Sequence, residues 1–251
     1  MWLRLQRWRG VVLTAIVTVA TILLAVTNQL QLYIHPRYII FTVAMVVLAL
    51  VLIVASTLSQ SAGQDDPAEP TPNRKLRVLS YTGVAVAGAL AVSMLALPPA
   101  TLTSATADQR DLNSTAIGAS TQDVDAAASA PIAAFASFTV LDWASLLRQT
   151  SDVGFYAGKP VTVQGFIVPD PDDPDNVFYV SRFFVTCCAV DAQPAGIPVH
   201  YPGWASSFAT DDWVDVSGEI STNPSRTSTQ PLAVIPDAVV PIEQPSDPYL
   251  F

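Results

Sequence analysis

The hydrophobic pattern of the chain changes once, near residue 100. Before that point apolar residues come in unbroken runs: Val11 to Val26 (extending through Leu30 and Leu32), Ile39 to Leu58, and Val78 to Leu97. None of them carries a charged side chain. A helix rises about 1.5 Å per residue, so about 20 residues cross a hydrocarbon core of about 30 Å. A helix that is apolar all round has no face for water. The pattern therefore predicts three transmembrane helices, over 11–32, 39–58 and 78–97. A cleaved signal sequence is the rival for the first, but no small-residue cleavage site follows Val26.

Beyond residue 100 the period shortens. Val161, Val163, Gly165 and Ile167 occupy alternate positions, as do Val214, Val216 and Gly218, with Asp215 and Ser217 between them. A period of two marks a strand with one buried face. Strands are expected over Val161–Val168, Val177–Thr186, Trp213–Ile220 and Leu232–Val240. A short helix is expected over Asp142–Gln149, capped by Thr139, and another within Pro202–Ala209. Gly165 in mid-strand suggests the sharp bend by which a small barrel curls. The expected fold class is N-terminal transmembrane α-helices plus a C-terminal all-β/α+β, OB-like small barrel, with a β-sandwich fragment as the alternative. The expected domains are a helical region over 1–100, an Ala/Ser/Thr-rich linker over 101–134 and a β-rich domain over 135–251.

Charge sets the orientation. Arg4, Arg7 and Arg9 precede the first run, and Arg74, Lys75 and Arg77 precede the third, whereas the first connection holds only Arg37. Cations gather on the cytoplasmic side, so a multi-pass protein of a bacterial cell membrane is expected, with a cytoplasmic N-terminus and an extracytoplasmic C-terminal domain. From Thr103 onward five cations face eighteen carboxylates, a net charge of −13. Such a surface repels polyanions, which argues against nucleic acid as a partner. No Ser/His/Asp grouping or Gly-rich phosphate loop occurs in this half, so no catalytic residue and no enzyme is expected.

The only two cysteines, Cys187 and Cys188, are adjacent. Three readings stay open for them. They could be small hydrophobes at a strand end, although neighbours on a strand point to opposite faces. They could form a disulfide with each other, strained because adjacent Cα atoms lie only about 3.8 Å apart. They could bind a soft metal, joined by Asp191 or His200. Arg182 is a further binding candidate near the thiols, with a surface ion pair to Asp191 or another carboxylate as the simpler alternative. No cofactor is specified. Asp170, Asp172, Asp173 and Asp175 resemble a calcium loop but lack its glycine and distal glutamate, and read as a solvated turn. His35 reads as loop surface, and Asn113-Ser114-Thr115 is formally a glycosylation sequon.

Several blocks together resemble the YcgQ-like family of bacterial membrane proteins. They are Gly158-Lys159-Pro160-Val161 leading to Gly165-Phe166-Ile167, and Arg182-Phe183 with Cys187-Cys188-Ala189-Val190-Asp191-Ala192. Trp213 to Gly218, Asp247 to Phe251, Pro36-Arg37 and Pro98-Pro99 fit the same pattern. The resemblance implies an accessory subunit of a two-component membrane permease, whose partner is a multi-spanning subunit. It implies no catalytic residue.

Overall fold

The structure, a computed structural model, describes residues 2–60, 82, 86, 88, 89, 93, 101–114 and 122–251. It divides into two compact units, Met1–Ala100 and Thr101–Phe251.

In the first unit, helix α1 (Trp2–Val26) is followed by a 3₁₀ turn at Gln29–Leu32 and by helix α2 (Ile39–Gln60). The α1 ladder stops where Asn28 takes a left-handed conformation, φ 57°. His35 then starts the next turn, its Nδ1 accepting the Arg37 amide at 3.1 Å. This histidine is a cap and not merely wetted surface. Thr21 and Thr27 hide their hydroxyls by donating to carbonyls one turn back, at 2.9 and 2.8 Å, the habit of polar side chains on apolar helices.

The expectation of three transmembrane spans is corrected here. Among the described residues one segment, Pro36–Ala55, is long and apolar enough to cross a membrane, and none of it is buried. The expected first span, 11–32, is interrupted at Asn28, and among the described residues its apolar helical part is Thr14–Val26. The expected third span, 78–97, lies outside the described residues apart from 82, 86, 88, 89 and 93.

Where an OB-like small barrel was expected, the C-terminal unit forms a mixed six-stranded sheet. Its strands are β1 (Pro160–Pro169), β2 (Val177–Phe184), β3 (Gln193–His200), β4 (Trp213–Thr222), β5 (Leu232–Pro241) and β6 (Tyr249–Leu250), in the order β1-β4-β5-β3-β2-β6. β1 serves two neighbours. Pro160 to Phe166 pair with β4, and Phe166 to Pro169 pair with β2. The crossing needs Gly165, because a Cβ there would stand 2.5 Å from the Ser181 carbonyl oxygen. Beyond Gly165 the alternation gives way to burial on both faces, as expected for a strand covered on two sides. A register shift falls at Ser217/Gly218 on β4.

Four short helices precede the sheet: α3 (Ser104–Ala107), α4 (Val124–Ser129), α5 (Val140–Gln149) and α6 (Val153–Tyr156). α5 begins with a capping box, Thr139 Oγ1 accepting the Asp142 amide while Asp142 accepts from the Thr139 amide. It buries Val140, Leu141, Trp143, Ala144 and Leu146 in the core with Val180, Ile197 and Val216. Phe135, Phe138 and Trp143 stack beside it with ring centroids 4.8 to 5.6 Å apart. The stretch expected as a linker, 101–134, thus contributes Ala127 to the core.

β3 carries Pro194 and Pro198, which the sequence pattern does not mark as a strand. Both share their outward parity with Gly196, whose amide and carbonyl turn away from β2 toward Asn113. A proline's missing donor costs nothing on that side. Asn113, at φ 58°, closes the edge: its Oδ1 accepts the Gly196 amide at 2.9 Å and its Nδ2 donates to the Gly196 carbonyl at 2.7 Å. The sequon asparagine is therefore committed to the sheet. In place of the helix expected within Pro202–Ala209 there is one 3₁₀ turn, Trp204–Ser206.

Candidate functional site

β2 ends at Phe184, two residues earlier than its β-favouring sequence suggests. The Val185 amide donates to the Leu250 carbonyl at 2.9 Å, and the chain then leaves the sheet. Residues 186–191 form a bend and a turn closed by the Asp191 amide donating to the Cys188 carbonyl at 2.9 Å. Off a pleated strand, the rule that neighbours point to opposite faces no longer applies.

Asp191 organises this loop. Its Oδ1 accepts the amides of Thr186 and Cys188, each at 3.3 Å, and its Oδ2 accepts the Thr186 hydroxyl at 2.8 Å. The result brings Cys187 Sγ, Cys188 Sγ and a carboxylate oxygen of Asp191 within 4.8 Å of one another. Both cysteines are thiols and not a disulfide, with Cys187 exposed and Cys188 half-buried. Neither packs into the core as a small hydrophobe. At the loop tip Val190 is 84% exposed.

Arg182 does not join this group. Its guanidinium donates to the backbone carbonyls of Pro248 (3.2 Å) and Asp247, and its Cζ lies 5.6 Å over the Trp213 ring. Burial pulls it down from the usual guanidinium range, with the Asp247 charge opposing. The ion pair with Asp191 expected as the simpler alternative is not formed; the residue fastens the chain's last segment to β2. His200 is also elsewhere. It pairs with Val177 at one end of β2–β3, while Phe184 pairs with Gln193 at the other, next to the cysteines. The length of β3, roughly 23 Å at about 3.3 Å per residue, separates them. His200 lies instead on the Asp173 side of the sheet, where it is the smallest of the influences that lower that carboxyl.

One residue near the site escaped the sequence: Arg110, which lies 80 positions before the Val190 carbonyl to which its Nη2 donates at 3.2 Å. Its Nη1 is buried with no hydrogen-bond partner among the described residues. Nothing in the local sequence signals this contact, because it depends on where 101–114 crosses the sheet.

The aspartate cluster between β1 and β2 behaves differently. Asp170, Asp172 and Asp173 accept the hydroxyls of Ser228, Thr229 and Ser225 at 2.5, 2.7 and 2.5 Å. Asp170 is only 1% exposed. This is a structural tie to the β4–β5 connection, not a solvated turn. A groove of about 250 Å³ lined by Asn113, Arg148, Tyr179 and Leu232 opens elsewhere, and no cysteine lines it.

The fold and the loop together define a two-unit protein: a helical region with, among the described residues, one apolar helix of membrane-crossing length, and a β domain presenting two thiols and a carboxylate. Residues 9–113 match the DUF1980 N-terminal domain and residues 137–251 the DUF1980 C-terminal domain, so the chain belongs to the DUF1980, YcgQ-like, family. No curated protein and no solved structure matches it.

Proposed function

We propose that the protein is an accessory subunit of a bacterial membrane permease. It is anchored in the cell membrane and presents its C-terminal domain outside the cytoplasm to a multi-spanning partner. The observation that carries this reading is the union, in one DUF1980 chain, of the apolar Pro36–Ala55 helix with a separate, acidic β domain. The basic residues Arg4, Arg7 and Arg9 before α1 support a cytoplasmic N-terminus. Purification of the full chain under native expression in mild detergent tests it. A multi-spanning protein recovered in fixed ratio is the expected result. Recovery of this chain alone overturns the reading.

A second reading is supported by the Cys187, Cys188 and Asp191 cluster: an extracytoplasmic protein that handles thiols or metals through its adjacent cysteines. Zinc and copper analysis of the natively expressed chain, with and without a Cys187→Ser/Cys188→Ser change, tests it. Metal content that follows the thiols is expected, and content indifferent to them counts against it.

A further inference from the structure

We propose that Cys187, Cys188 and Asp191 form a three-ligand site for a single thiophilic divalent ion of the zinc class, open to exchange. The inference rests on the second reading above and is independent of any permease partner.

Geometry comes first. The three donor atoms lie within 4.8 Å of one another, close enough to converge on one ion with small side-chain rotations. Adjacent cysteines chelate poorly on a strand, but here Cys187 sits in a bend and Cys188 opens the turn closed by its own carbonyl and the Asp191 amide, where both sulfurs can reach one side.

The carboxylate is held in advance. A carboxylate offers about four lone-pair sites. Three are taken by the Thr186 amide, the Thr186 hydroxyl and the Cys188 amide, which fix its direction. One remains for an ion. Such outer contacts are what orient metal ligands in general. They also tie the carboxylate to the backbone on both sides of Cys187.

Charge decides the class of ion. Two thiolates and one carboxylate around a divalent cation leave one negative charge. The Arg110 guanidinium, bonded to the carbonyl next to Asp191 and with a buried Nη1, supplies the balancing positive charge. Thiolate donors select soft or borderline ions and disfavour calcium and magnesium, which want oxygen. Binding breaks two S–H bonds, forms two S–metal bonds and releases two protons to solvent. Structural zinc sites use four protein ligands, whereas three leave a position for water or an incoming donor. An exposed Cys187 and the exposed tip at Val190 suit an ion that is passed on and not locked in.

The test uses the full reduced chain in mild detergent, with Co²⁺ alone as the probe. The expected result is about one ion per chain, with a thiolate-to-cobalt charge-transfer band that added Zn²⁺ abolishes. Cys187→Ser and Cys188→Ser should each weaken binding about 100-fold and reduce that band. Asp191→Asn, which keeps hydrogen-bond acceptance in the loop, should retain the band and weaken binding at least about 10-fold. Near-ultraviolet circular dichroism that matches the parent chain guards against misfolding of each variant. Absence of the band while thiol titration finds both cysteines reduced overturns the proposal. So does unchanged affinity in Asp191→Asn. Co-purification of a permease partner does not enter either outcome, so this proposal and the subunit reading can fail separately.

Discussion

The loops at the two ends of β2 both carry carboxylates, and they use them in different ways. In the β1–β2 turn, three aspartates each face a hydroxyl from the β4–β5 connection. Past the other end of β2, a single aspartate holds two backbone amides and a hydroxyl and thereby sets two sulfurs beside itself. The three aspartates reach across to another connection and tie two loops together. Asp191 instead orders its own loop and stands beside two sulfurs.

The largest expected effect breaks both ends at once. Gly165→Val would drive a side chain into the Ser181 carbonyl where β1 changes partners, costing about 3 kcal/mol or more. Thermal unfolding of the full chain, followed by near-ultraviolet circular dichroism, should show a strongly lowered midpoint. An unchanged midpoint would mean that the crossing tolerates a side chain.

Next comes the aspartate-rich end. Asp170→Ala removes a buried acceptor of the Ser228 hydroxyl and the Asp172 amide, and charged hydrogen bonds of this kind are worth about 1.5–3 kcal/mol each way. The same melting experiment should register that loss. Excess Ca²⁺ should leave the parent chain's midpoint where it was. A calcium-dependent rise would make the two ends alike and dissolve the contrast.

A smaller change is expected at the thiol end. Asp191→Ala frees the Thr186 and Cys188 amides on an exposed loop, costing about 1 kcal/mol. Its signature is chemical: the two thiols should react with a maleimide at altered relative rates while the sheet's spectrum is unchanged. Equal rates before and after would show that the carboxylate does not position the sulfurs.

The subtlest effect is acid sensitivity. The Ser225 hydroxyl, then the Asn176 amide, hold the Asp173 carboxyl below its usual range. A lowered folded value stabilises the native state above the ordinary carboxylate pKa of about 3.9. That contribution fades as the pH drops through the lowered folded value. Denaturant midpoints should therefore fall more steeply in acid for the parent chain than for Asp173→Asn. Parallel curves would remove Asp173 from the tie.

Local rules made part of this legible. Alternation at Val161, Val163, Val214 and Val216 located two strands, and Thr139 with Asp142 located a helix start. Adjacent cysteines followed by an aspartate marked the loop that the structure draws together. Long-range geometry supplied the rest. β3 hides behind Pro194 and Pro198, whose tolerance depends on an edge that only pairing defines. Thr186 favours a strand by type, but Asp191 bends it away. Arg182 seemed close to the thiols by register, yet its partners are 65 and 66 residues further on. The first apolar run extends to Leu32 only across Thr27-Asn28-Gln29, and the chain turns at those polar residues, with Asn28 left-handed.

The amide of Asn113 has one further consequence. It occupies the hydrogen-bonding groups of Gly196 on the side of β3 that β5 leaves uncovered except at Val199. Unguarded strand borders recruit neighbouring chains and seed self-association. A sugar built on this nitrogen, or replacement of the residue by alanine, would strip the guard and turn that margin into a template for stacking.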